Sequence, residues 1–82
     1  MTATEAKAFK KLLGTAYKTY YSSKTESMSV KVYSYINNEY DAEREKSRVD
    51  KFMNLIKNTA FSTEIIHRTY QGFIHDTCII VS

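Results

Sequence analysis

Two different hydrophobic periods run along this chain, and the places where one gives way to the other divide it into segments. From Thr4 to Tyr21, the residues Ala6, Phe9, Leu13, Ala16, Tyr17 and Tyr20 recur at steps of three and four, with Leu12 widening the stripe. That spacing predicts an amphipathic helix. Thr2 and Glu5 have capping-box spacing, which starts the helix early. Gly14 falls inside the pattern at a cost of about 1 kcal/mol against Ala, and is read as room for a close backbone contact. A polar break, Ser22 to Ser27, follows.

From Met28 to Ile36 the period becomes two. Met28, Val30, Val32, Ser34 and Ile36 share one face, and Ser29, Lys31, Tyr33, Tyr35 and Asn37 share the other. Alternation with β-branched and aromatic residues predicts a strand, and Asn37 and Asn38 suit its exit turn. Asp41 to Asn58 returns to helical spacing, with Ala42, Val49, Phe52, Met53 and Ile56 as the buried stripe. Glu45 interrupts that stripe one turn before Val49. Asp41 is the expected N-cap, and Glu43 and Glu45 stand near the positive end of the helix dipole. Arg44, Arg48 and Lys51 are spaced to share an outer face. Thr63 to Tyr70 and Phe73 to Val81 read as two strands joined by a tight turn at Gln71 and Gly72.

The expected architecture is therefore α+β: one small domain over residues 1–82, in the order α-β-α-β-β. A three-stranded mixed sheet, ending in a C-terminal hairpin, packs with two helices. The β-α-β portion would supply a crossover between parallel strands.

Composition narrows the function classes. With 43% hydrophobic and 26% charged residues the chain can build a core, but one this short has little room for a deep catalytic cleft as well. The net charge of +3 is mild for a dedicated nucleic-acid binder. A lone cysteine, Cys78, excludes an internal disulfide. No apolar run reaches the ~18 residues of a membrane span. A cytoplasmic location with no membrane partner is expected, and no cofactor or metal. Abundant Asn, Lys, Ile and Tyr give the chain the compositional look of a small protein from an AT-rich genome, such as that of a bacteriophage.

Seven tyrosines and no tryptophan or proline are the most informative compositional fact. Six of the seven lie between residues 17 and 40. Phenol rings suit contact surfaces as well as cores. If the helices cover the face of Met28, Val30 and Val32, then Tyr33 and Tyr35 lie open beside Lys31 and Tyr21. This predicts a protein-binding surface made of Tyr21, Lys31, Tyr33 and Tyr35. The corresponding function is a non-enzymatic regulator or inhibitor of a larger protein, a phage-encoded effector being one concrete form. A homodimer through an open sheet edge or the tyrosine patch is a further expectation.

Two alternatives carry specific residues. Lys7, Lys10, Lys11 and Lys18, on the polar face of the first helix, could contact nucleic-acid phosphates while Tyr21, Tyr33 or Tyr35 stacks on bases. In the hairpin, counting outwards from Gln71-Gly72 sets His67 opposite Asp76 and Ile65 opposite Cys78. Imidazole, carboxylate and thiol would then share one face, as an activated nucleophile or a metal site requires. The plainer reading is a cross-strand polar pair beside a small core cysteine.

Overall fold

The capping box at the start of the chain forms as the spacing predicts. The Thr2 hydroxyl accepts from the Glu5 amide and the Glu5 carboxylate from the Thr2 amide, at 3.2 and 2.9 Å. These bonds hold the Glu5 carboxyl below its ordinary range. The helix they open, α1 (Ala3–Leu13), is shorter than its hydrophobic stripe suggested. It stops at Gly14, whose φ of 68° lies where side-chain-bearing residues are strained. Apart from its two chain neighbours, no atom of the described residues lies within 4 Å of where a Gly14 Cβ would sit, so this glycine serves the turn and not a close contact.

The structure is a computed structural model that describes residues 1–35, 40–70 and 73–82. After Gly14 the chain enters β1 (Lys18–Ser22), then β2 (Ser27–Ser34), α2 (Ala42–Ile56), β3 (Thr63–Tyr70) and β4 (Phe73–Val81). The α+β class is as expected, but the sheet has four strands instead of three and is antiparallel throughout, in the order β1-β2-β4-β3. The additional strand comes from the segment assigned to the end of the first helix. β2 and β3 do run in the same direction, as a crossover through α2 requires, but β4 is inserted between them. The proposed exit turn at Asn37-Asn38 and the hairpin turn at Gln71-Gly72 lie outside the described residues.

Both helices lie on one side of the sheet, α1 against β1 and α2 against β2. Ala6, Phe9 and Leu13 of α1 meet Phe52 and Ile56 of α2 over Met28, Val30, Val32, Ile79 and Val81. The Phe9 ring stands edge-on to both Phe52 and Phe61, at centroid distances of 6.4 and 5.7 Å, and Tyr17 is edge-on to Phe52 at 5.4 Å. Asp41 caps α2 by accepting from the Glu43 and Arg44 amides. Among the described residues, no helix is long and apolar enough to cross a membrane.

Two irregularities in register decide which side chains face the helices. On β2, Val30 pairs with Ile79 and Lys31 with Cys78, but the next pair is Tyr33 with Thr77. Val32 is the extra residue of a β-bulge. A bulge reverses the alternation beyond it, so Tyr33 and Tyr35 turn to the helix-covered face instead of the opposite one. On the β3–β4 ladder a second shift between Arg68 and Thr69 pairs His67 with Thr77, Arg68 with Asp76 and Ile66 with Cys78. The expected opposition of His67 to Asp76 and of Ile65 to Cys78 is therefore not formed.

Candidate functional site

Tyr35 is buried, with 7% of its surface exposed. Its hydroxyl donates to Glu45 Oε2 at 2.7 Å and lies 2.9 Å from Thr77 Oγ1 and 3.2 Å from His67 Nδ1. Burial, followed by the Glu45 carboxylate, pushes the phenol up to about 12, even though the Thr77 hydrogen bond acts the other way. Such a phenol stays protonated and ties α2 to β2, β3 and β4. The same contact explains why Glu45 stands in the apolar stripe of α2: its carboxylate is the acceptor for a buried hydroxyl.

On the opposite face of the sheet, Asp76 is 2% exposed. Arg68 Nη2 donates to its Oδ2 at 2.8 Å, Ser34 Oγ donates to its Oδ1 at 3.0 Å, and Lys31 Nζ is 3.5 Å away. Burial by itself would raise the carboxyl. The Ser34 and Arg68 hydrogen bonds and the Lys31 and Arg68 charges outweigh it and hold the group below its ordinary value. Cys78 is also buried beside this face, whereas His67 stands on the helix side. Thiol and carboxylate are thus separated from the imidazole by the sheet, and the nucleophile or metal arrangement is not assembled. Among the described residues, no cluster of three His, Cys, Asp or Glu is placed to hold a metal ion.

A basic concavity lies where the Val32 bulge meets the first turns of α2. It is an open groove of about 570 Å³ with Lys18, Lys31, Tyr33, Ser34, Arg44 and Arg48 in its lining. Arg44 and Arg48 are one helical turn apart and so project together. Lys18 and Lys31 are directly opposed on β1 and β2. Lys31 is drawn toward Asp76, and Arg44 lies 3.5 Å from the Asp41 carboxylate. Among the described residues, neither Lys18 nor Arg48 has a carboxylate within 4.0 Å. The groove therefore carries four cations with two carboxylates at its margins, and it attracts anions.

No family model matches the chain, and no curated protein or solved structure matches it.

The residues singled out from the sequence are divided among three places. Lys31 and Tyr33 line the groove. Tyr35 lies beneath it, its ring edge-on to Tyr33 at 5.2 Å. Tyr21 lies elsewhere, half-buried under α1, its hydroxyl donating to the Met1 carbonyl at 2.8 Å. Of the four lysines, Lys7, Lys10 and Lys11 border a shallow surface of α1 near Gly14, while Lys18, placed on a strand, joins the groove. Sequence reasoning missed Arg44 and Arg48 as groove residues. Their spacing was legible, but nothing local showed that the bulge would bring β2 alongside them. It also missed Tyr20, which is 72% exposed on the uncovered sheet face.

Proposed function

We propose that this is a non-enzymatic binding protein that acts by holding an acidic segment of a larger protein, as a regulator or inhibitor of it. The observation that carries this reading is the convergence of Lys18, Lys31, Arg44 and Arg48 around Tyr33 in one open groove. Arginine forks and a half-buried tyrosine are the side chains from which protein contacts draw most of their energy. Carboxylates of a partner would pair with Arg44 and Arg48, while the Tyr33 ring, held by its edge contact with Tyr35, offers a rigid apolar floor. The groove favours a protein over nucleic acid because Tyr21 and Tyr35 are tied by hydrogen bonds and Tyr33 is half-buried against Tyr35, so the groove holds no fully exposed ring on which a base could stack.

One observation favours the second reading, a single-stranded nucleic acid. Tyr20 projects from the uncovered sheet face where Lys18, Lys31 and Arg68 also gather. Sheet-borne rings flanked by cations stack bases in single-strand binders.

Capture from the native host separates the two readings. The tagged wild-type protein and an Arg44→Glu/Arg48→Glu variant would be compared with and without nuclease, with mass spectrometry of the captured proteins. The leading reading expects a nuclease-resistant protein partner that the variant loses. Capture that disappears with nuclease, and that Tyr20→Ala weakens, would favour the nucleic acid. Equal capture by the variant would remove the groove from consideration.

A further inference from the structure

β3 forms one edge of the sheet, and no strand among the described residues pairs with its outer side. Ser62 and Ser82 exchange both of their main-chain hydrogen bonds, at 2.8 and 3.0 Å. In an antiparallel ladder such doubly bonded pairs recur at every second residue. Continued along the pairs Glu64–Ile80, Ile66–Cys78 and Arg68–Asp76, this rule turns the main-chain groups of Glu64, Ile66 and Arg68 toward β4. Those of Thr63, Ile65 and His67 point outward. The strand carries neither lysine nor proline, two devices by which sheet edges are commonly blunted.

We propose that β3 pairs antiparallel with β3 of a second copy of this chain, about a two-fold axis at Ile66. Two four-stranded sheets would then join into one of eight strands. Outward-pointing residues must meet outward-pointing residues, so the register can change only in steps that preserve this pairing. Charge selects among the registers. An axis at Glu64 opposes two carboxylates, and an axis at Arg68 opposes two guanidinium groups. An axis at Ile65 or His67 leaves both charges facing uncharged residues. The axis at Ile66 alone sets each Glu64 opposite Arg68 of the other copy, twice, with Ile66 facing its own counterpart between them. Arg68 has donors to spare: one nitrogen holds Asp76, and its side chain is 51% exposed. On the helix side, the same register covers Ile65, half exposed in the single chain, with His67 of the second copy. A contact made by one strand per chain is small beside an obligate dimer interface, so the association is concentration-dependent.

Sedimentation equilibrium from about 10 µM to 1 mM tests the dimer, with a rise to twice the monomer mass expected. Glu64→Arg sets Arg against Arg and should weaken dimerisation about tenfold or more, while leaving the Arg68–Asp76 pair in place. Ile65→Pro removes an outward N–H without touching the β4 ladder and should abolish dimerisation. Should that variant fail to fold, the exposed Glu64→Arg still carries the test. The register is read from Ile66→Cys in a Cys78→Ser background, the native thiol being removed because it lies opposite Ile66 in β4. A non-bonded antiparallel pair brings Cα atoms to about 4.5 Å, within disulfide range, so oxidation should link two chains. A monomer at every concentration, or a dimer indifferent to both Glu64→Arg and Ile65→Pro, overturns the proposal. An unlinked Ile66→Cys dimer overturns the register.

Discussion

Replacing Tyr35 with Phe removes one oxygen and leaves the ring packing intact, so it isolates the polar junction under the groove. The lost hydroxyl donates to Glu45 at 2.7 Å and lies 2.9 Å from Thr77. A hydrogen bond to a charged acceptor contributes about 1.5–3 kcal/mol, and a neutral one about 0.5–1.5 kcal/mol. Two features lower the sum. Glu45 is only half-buried, so water replaces part of what it loses. Thr77, fully buried, keeps longer contacts with His67 and Glu45 at 3.3 and 3.4 Å. The expected cost is therefore about 1.5–2.5 kcal/mol. For a domain of this size 2 kcal/mol corresponds to a fall in Tm of roughly 8–16 °C. Urea denaturation should show the midpoint moving with the slope unchanged. Tyr20→Phe, at an exposed ring, should stay within about 0.5 kcal/mol of wild type and serves as the control. A Tyr35→Phe cost below about 0.5 kcal/mol would mean that the hydroxyl is solvated, and the bulge-driven inward turn of β2 would be wrong.

Three further outcomes follow from the same geometry. Tyr35 has a folded-state value raised from 10.0 to about 12, so its contribution is complete below pH 10 and is lost as pH rises toward 12. The difference between wild-type and Tyr35→Phe phenolate absorbance titrations should contain one late component, and a difference complete by pH 10 would contradict the burial. Asp76 has the opposite sign: its value is lowered from 3.8, so its contribution is present above pH 3.8 and is lost as pH falls below it. Asp76→Asn should cost about 1–3 kcal/mol at neutral pH and flatten the acid limb of a stability–pH profile, whereas an unchanged limb would show that Arg68 and Lys31 do not bias that carboxylate. Gly14→Ala should cost about 1–3 kcal/mol in urea denaturation through backbone strain alone, since no neighbouring atom blocks the methyl group; a neutral result would mean the turn relaxes.

Much of this fold can be read from the sequence because each legible element carries redundant signals. The start of α1 has both a capping box and an apolar stripe, and α2 has Asp41 as cap and Val49, Phe52, Met53 and Ile56 as stripe. β1 was hidden by a coincidence of period. Ala16, Tyr17 and Tyr20 continue the helical steps of Phe9 and Leu13, yet five of the seven residues from Thr15 to Tyr21 are Thr or Tyr, which favour strands. Gly14 was the usable signal, since a glycine at the end of a stripe more often caps a helix than interrupts it.

The site was less legible, for a different reason. Alternation along β2 is a local property, but a single extra residue at Val32 reverses its outcome for Tyr33 and Tyr35. The bulge is visible only in the pairing of β2 with β4, a strand remote in sequence. The hairpin constellation failed in the same way, through a one-residue shift between Arg68 and Thr69. Residue type was the more durable guide: Lys31 and Tyr33, expected at a protein contact, and Lys18, expected at nucleic-acid phosphates, line one groove.

The central claim is that the groove, and not the lysine face of α1, makes the functional contact. The direct measurement is the affinity of the captured partner, by titration calorimetry, for two charge-reversed proteins. Arg44→Glu/Arg48→Glu alters the groove, and Lys7→Glu/Lys11→Glu makes an equal change of charge on α1. We predict that the groove variant loses binding by a hundredfold or more, as expected for on the order of 3 kcal/mol at two contact arginines, while the α1 variant binds within about threefold of wild type. Loss in the α1 variant with the groove variant unaffected would contradict the account.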